Sequence, residues 1–274
     1  MFGEAFMDMY TEKKENFKTG FFEIDDCICG VPKGSIITIG ARSSMGKTAF
    51  AVSICNHLLD MDKKVLFCEL EENLVLLEKR FIYTKTKIQR LNNSWFRNDM
   101  SSREWNDIIN ELNYFNNKPL TILCKQTLTT EEIEEKVKEG KPDILFIDSI
   151  QCLKMPKAPN MTDAINLAVK EVKRIAAEND LIVVLTSQVS RGTESRYDHR
   201  PLLSDLRNSS LLEEVSDLVL LLYRPEYYEP QKVDLKGKAE VLITKNRFGK
   251  LDLVPLYFYK GIFADRMCEN SEEE

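Results

Sequence analysis

The sequence predicts an α/β domain with a mainly parallel central sheet flanked by helices, on three observations. Short apolar runs of strand length, among them Ile36 to Ile39, Val65 to Cys68 and Leu181 to Leu185, alternate with stretches whose apolar residues recur at helical spacing. Asp143 to Asp148 is almost continuously apolar, as a strand covered on both faces must be. A turn of small residues ending in Gly46-Lys47-Thr48 joins an early strand to a long helix.

Composition narrows the function classes. A chain of 274 residues can build one large domain with a substantial core, and its 43% hydrophobic and 30% charged content is that of a soluble globule. No apolar run approaches the roughly 18 residues of a membrane span, and Met1 to Glu15 lacks a signal-peptide core. A cytoplasmic setting with no membrane partner is therefore expected. The seven cysteines are scattered and read as reduced thiols. Cys27 and Cys29, a lone close pair with no second one, read as helix or turn residues. A net charge of −6 gives no global attraction to nucleic acid and leaves such contact to a local basic patch.

Taken in order, Glu4 to Lys14 reads as a short amphipathic helix, an arm rather than a domain. A turn at Thr19-Gly20 and a helical turn with Phe22, Ile24 and Asp25 approach the first strand. After it, Ala49, Phe50, Ala51, Val52, Ile54, Leu58 and Leu59 give a helix. Strand Val65 to Cys68 ends in Glu69-Leu70-Glu71-Glu72, and Asn73 or a neighbour starts the next helix. Ser101-Ser102-Arg103-Glu104 is a capping box before Trp105, Ile108, Ile109 and Leu112. Leu120 to Leu123 is a strand, Thr129 or Thr130 opens a helix closed by Gly140-Lys141-Pro142, and Asp143 to Asp148 follows. Met161 to Glu178 carries a helical apolar stripe, and Leu181 to Leu185 is the next strand. Ser190 to Asp205 is polar, lacks a core pattern and reads as a mobile functional loop. Leu218 to Leu222, Ala239 to Thr244 and Leu251 to Tyr259 are later strands, with a tyrosine-rich excursion between the first two.

The chemistry concentrates at Ala41-Arg42-Ser43-Ser44-Met45-Gly46-Lys47-Thr48. Small residues let successive N–H groups converge on phosphate oxygens, and the helix start adds its unpaired N–H groups and dipole. Lys47 would reach the β- and γ-phosphates and the Thr48 hydroxyl would ligate Mg²⁺. Asp148, at the end of a central strand, suits the metal-organising carboxylate. Glu69, Glu71 and Glu72 are each candidates to activate water, and residue type does not choose among them. Gln188 could sense a γ-phosphate or cap a turn. Arg191, Arg196, Arg200 and Arg207, with Tyr197 and His199, form a basic patch that reads equally as solvated loop or nucleic-acid contact.

These motifs, in this order, resemble the C-terminal ATPase domain of the DnaB family of replicative DNA helicases, within the RecA-like group. The resemblance runs from about Lys18 to Arg266 and begins with Thr19-Gly20-Phe21 and Ile24-Asp25. Ala41 through Thr48, continued by Ala49, is close to the family's Walker A form, with Ser43 where proline is usual. Leu70-Glu71 falls on its Leu-Glu pair, which implies Glu71 as catalytic carboxylate. Ile147-Asp148 followed by Gln151 matches its Walker B stretch, and Ser187 to Gly192 its sensor region. Arg200 to Arg207 leads into its DNA loop. Arg207-Asn208-Ser209-Ser210 stands where the family reads Arg-Glu-Ser-Gly, implying DNA contacts from Arg191, Arg207, Asn208 and Ser210. Lys245 and Arg247 match the basic pair that reaches a neighbouring subunit's ATP site.

The resemblance thus implies a RecA-like ATPase using ATP and Mg²⁺, acting on single-stranded DNA as a homo-oligomer, as a hexameric ring in the family. It divides the chain into an arm over residues 1–17 resembling a shortened linker helix, an ATPase domain over 18–266 and an acidic tail over 267–274. The family's helical N-terminal domain has no counterpart in these residues, so primase, a loader or a separate N-terminal-domain protein are the expected further partners. An accessory ATPase that remodels partners without unwinding, or a nucleotide-dependent scaffold, are the other readings.

Overall fold

The coordinates are a computed structural model describing residues 17–88, 91, 100–206 and 210–265. The expected arm over Glu4 to Lys14, the stretch Arg207 to Ser209 and the acidic tail lie outside the described residues.

A strand buried at every position needs a strand on either side and cover on both faces. β1 (Ile36–Ala41) has that burial and sits inside a nine-stranded sheet of order β3-β2-β4-β5-β1-β6-β7-β8-β9. Its companions are β2 (Val65–Glu69), β3 (Leu120–Cys124), β4 (Ile144–Asp148), β5 (Ile182–Gln188), β6 (Leu218–Tyr223), β7 (Lys238–Asn246), β8 (Asp252–Tyr259) and β9 (Ile262–Ala264). Pairing is parallel from β3 through β6 and antiparallel from β6 to β9. The chain leaves β1 for β2 past β5 and β4, which opens a crevice at the carboxyl ends of β1, β4 and β5.

Helices cover the two faces. α1 (Phe22–Ile28), α2 (Lys47–Asp60) and α3 (Leu74–Thr86) pack with one face of the sheet, where Phe50, Phe67, Phe81 and Phe146 are fully buried. α4 (Ser102–Asn116) packs beside α3, Phe115 lying edge-on to Phe81. α5 (Thr130–Gly140) and α6 (Met161–Glu178) cover the opposite face through Ile133, Val137, Ile165, Val169, Val172 and Ile175. Two short helices, α7 (Ser210–Val215) and α8 (Pro225–Tyr228), complete the fold.

The caps lie where side-chain chemistry demands. Asn73 accepts from the Leu76 amide at 3.0 Å, and Ser101–Glu104 and Thr129–Glu132 both close reciprocal capping boxes. Cys27 is buried in α1, and Cys29 closes that helix in the left-handed region.

Three expectations change. The strand from the Leu181 region runs on to Gln188, so this residue ends the strand rather than following it. β9 was not expected; Gly261 at φ 94° turns the chain back after β8, a short hairpin with weak apolar patterning. The Ser190 to Asp205 segment is tied down rather than loose. It contains two 3₁₀ turns, Arg196 forms a double ion pair with Asp205, Arg200 a bidentate one with Glu240 at 2.8 and 2.7 Å, and Thr193 is buried. Two of the four arginines of the supposed basic patch are therefore already neutralised.

Candidate nucleotide site

The turn after β1 is shaped by positions that accept unusual backbone angles. Ser44 has φ 64°, and Gly46, which precedes α2, has φ 96°. A Cβ on Gly46 would lie 2.9 Å from both Phe258 and Phe263, so aromatic rings of β8 and β9 pack directly against the turn. Ala41, where the generic motif has glycine, is a fully buried strand residue. The close approach is instead at Gly40, whose Cβ would strike Leu221 at 2.5 Å. Met45 is buried, anchoring the turn, while the Gly46 carbonyl accepts the Phe50 amide at 2.9 Å and starts the helix. Lys47, Thr48 and Ala49 are thus the first turn of α2, with amides that have no partner inside the helix.

Lys47 is buried by its surroundings, and its charge is one of those that act on Asp148. Asp148, the last residue of β4, is also buried. Its Oδ1 accepts from the Thr186 hydroxyl, whereas Oδ2 has no hydrogen-bond partner among the described residues. Burial pushes its carboxyl up, and the Thr186 and Thr48 hydroxyls offset part of that rise. An orphaned carboxylate oxygen beside Thr48 is a donor set that suits Mg²⁺.

The three neighbouring glutamates separate by environment. Glu69 ends β2 in register with Asp148 and is fully buried; burial and the Asp148 charge raise its carboxyl to about 8. Glu72 is held by Arg80 at 2.7 and 2.6 Å. Glu71 is exposed, and its Oε1 accepts from the Ser149 hydroxyl at 2.5 Å, one residue beyond Asp148. Gln188 is paired in register with Ala41 at the base of the turn, and its amide faces Gln151 Oε1 at 3.4 Å. The fold therefore gathers Lys47, Thr48, Glu71, Asp148 and Gln188 at one end of the sheet.

The sequence model of the family described as DnaB-like helicase C terminal domain matches residues 16–264. The chain belongs to that family. It is 32% identical over 266 residues to the replicative DNA helicase DnaB of Pasteurella multocida, covering 93% of this chain and 56% of that protein. It is also 32% identical over 252 residues to a probable plasmid replicative DNA helicase of Chlamydia psittaci, covering 89% of this chain and 54% of the relative. The chain spans little more than half the length of these relatives. Among solved structures, the ATPase domain of G40P superposes with a TM-score of 0.88 at 33% identity, covering 96% of this chain and 98% of that one. A DnaB-like replicative helicase studied with primase gives 0.87 at 32% identity, covering 94% of this chain and 66% of its own. The fold is RecA-like, and the β1–α2 turn stands where the Walker A resemblance puts a P-loop.

Within this family frame, Lys245 and Arg247 stand apart. β7 runs antiparallel to β6, and Val219 pairs with Lys245 near the sheet end where β1 begins. Lys245 Nζ donates to the Glu213 and Glu214 carbonyls at 2.7 and 2.8 Å, and Arg247 to Asp217 and the Glu214 carbonyl. Neither is brought to the chain's own P-loop. Of the expected DNA contacts, Arg191 is exposed on a 3₁₀ turn and Ser210 opens α7, while Arg207 and Asn208 lie outside the described residues.

One expectation shifts, and three residues escaped the sequence reading. Arg42 was expected at the nucleotide, yet its guanidinium reaches the Val189 carbonyl at 3.4 Å and pairs with Glu194, leaving its backbone for the site. Arg224 donates to the Ser44 carbonyl at 3.1 Å and lies 3.9 Å over the Phe258 ring, bracing the P-loop from β6. A lone arginine directly after a buried strand was its signal. Thr186 and Ser149, hydroxyls beside expected site residues, had no signal beyond adjacency.

Proposed function

We propose that this chain is the ATP-hydrolysing motor segment of a DNA helicase, working as a homo-oligomer on single-stranded DNA. The observation that carries this reading is the separation of Lys245 and Arg247 from the P-loop of their own chain. A phosphoryl-transfer site gains from a cation against the transferring phosphate besides Lys47, and Lys245 and Arg247, set apart from their own P-loop, would supply it to a neighbour's site.

In the proposed site the α2 amides and Lys47 cradle the triphosphate. Thr48 and Asp148 would hold Mg²⁺, which when bound would offset the negative charge of the phosphates. Glu71, oriented by Ser149, accepts a proton from the attacking water in line with the γ-phosphate. Gln188 senses the γ-phosphate from the end of β5. Lys245 and Arg247 of one subunit offset charge in the next subunit's site, a contribution of about 10³-fold or more. Arg191, Arg207, Asn208 and Ser210 meet the DNA backbone, which sets position without reading sequence. A hexameric ring and a primase contact are the assembly this reading favours; primase interaction is described for one structural relative.

The test is ATP hydrolysis against protein concentration, with and without single-stranded DNA, alongside mass measurement. A rate per chain that rises with assembly and again with DNA is expected. A rate indifferent to both removes the motor reading.

A further inference from the structure

Glu69 takes no part in the mechanism above, yet it is a fully buried carboxylate beside the reacting groups. Its Oε1 accepts the Glu71 amide at 2.9 Å and the Glu72 amide at 2.8 Å. A side-chain oxygen bonded to amides two and three residues on fixes the chain locally, as a cap does at a helix start. The turn it closes is held on every other side too. The Leu70 amide donates to the Asp148 carbonyl at 2.8 Å, the Lys125 amide to the Glu69 carbonyl at 3.2 Å, and Cys124 Sγ lies 3.3 Å from the Glu72 carbonyl. Arg80 grips the Glu72 carboxylate. Only Glu71 points a carboxylate out of this frame, to Ser149.

We propose that Glu69 is a positioning residue for Glu71: by accepting the Glu71 and Glu72 amides it fixes the turn that holds the Glu71 carboxylate against Ser149. This inference rests on the reading of Glu71 as the group that activates water. A buried side chain without Oε1 would leave two amides unsatisfied, and the turn would rearrange to find partners. Glu71 would then be displaced from its water, and misplacement by about 1 Å can cost 10²-fold in rate. The acceptor is what matters, since a protonated carboxyl and a carboxamide both keep a carbonyl oxygen in that place.

The test compares Glu69→Gln, Glu69→Ala, Glu71→Gln and the double variant Glu69→Ala/Glu71→Gln, in the full chain. Each is measured for ATP turnover, KM and equilibrium nucleotide affinity. Glu69→Gln is expected to keep turnover within about twofold, whereas Glu69→Ala loses about 10- to 100-fold in kcat with KM and affinity unchanged. The double variant is expected to be no slower than Glu71→Gln alone. Ile122→Ala in β3 controls for lost stability: matched to Glu69→Ala in melting temperature, it should keep its kcat. Wild-type kcat in Glu69→Ala, a loss confined to affinity, or equal loss in Glu69→Gln would overturn the inference. Full turnover in Glu71→Gln would instead overturn the reading of Glu71 on which it rests.

Discussion

Arg247 Nη1 donates to Asp217 Oδ1 at 2.9 Å, and the other oxygen of that carboxylate accepts from the Ile36 amide at 2.9 Å. Asp217 thus connects the proposed trans-acting arginine to the first residue of the strand that ends in the P-loop. Lys173 adds a third bond to the same carboxylate at 3.0 Å. On its other side the guanidinium, with Lys245, caps the carboxyl end of α7, the helix opened by Ser210. One polar cluster therefore touches the P-loop strand, the basic pair and the helix that follows the expected DNA stretch.

Asp217→Ala strands a buried amide and removes the carboxylate from two cations. It is expected to lower stability by about 1–3 kcal/mol, chiefly because the buried Ile36 amide loses its acceptor while the Arg247 side chain is half exposed. Asp217→Asn, which keeps an acceptor for Ile36, should lose clearly less. Urea unfolding of both variants decides it, and equal losses would show that the Ile36 bond is not the important one.

The placement of Arg247 makes a prediction for mixtures. Lys47→Ala removes phosphate binding in a chain that still supplies Arg247, and Arg247→Ala does the reverse. Each alone should hydrolyse ATP about 10³-fold more slowly than wild type. Mixed and reassembled in equal amounts, they should regain activity, because about a quarter of the interfaces in a random ring would then be intact. Turnover that stays at the level of the separate variants would place the arginine in its own chain's site.

Glu134 offers a pH test away from the site. It accepts from Arg174 at 3.1 and 2.7 Å and pairs with Lys138 at 2.6 Å, and these bonds hold its carboxyl down to about 2 against an ordinary 4.5. A carboxyl lowered by folding stabilises the native state fully above its unfolded value and loses that contribution as pH falls toward its folded one. The melting temperature of wild type should therefore exceed that of Glu134→Gln at pH 7, with the gap narrowing between about pH 4.5 and 2. Added salt should shrink the gap too. A gap that widens on acidification would be the wrong sign.

The sequence was most legible where one local rule acts alone. Apolar continuity marked β1, β4 and β6, the Ser101–Glu104 capping box set one helix start to the residue, and Thr129 or Thr130 set another to within one. The strand–turn–helix around Gly46 was legible because its residues are consecutive. What was missed depends on contacts across the chain. Arg196 and Arg200 read as free charge until Asp205 and Glu240 arrive from elsewhere in the fold. Glu69 and Glu71 have the same side chain two positions apart, and they separate because β2 ends at Glu69, buried beside Asp148, whereas Glu71 lies past the strand end.

Gly46→Ala joins these two kinds of information. The motif marks Gly46, but its surroundings come from β8 and β9. At φ 96° an alanine bears a backbone penalty of about 1–2 kcal/mol, and its methyl would press on Phe258 and Phe263 at 2.9 Å. Relief requires the turn to lift from those rings, which carries the first amides of α2 away from the phosphates. Nucleotide affinity should fall by at least about tenfold while the melting temperature drops by several degrees. Gly46→Ala combined with Phe258→Leu, which opens space at the ring, should regain part of the affinity but not the backbone penalty. Fluorescent-nucleotide titration of both variants measures the split, and no recovery in the double variant would assign the whole effect to φ.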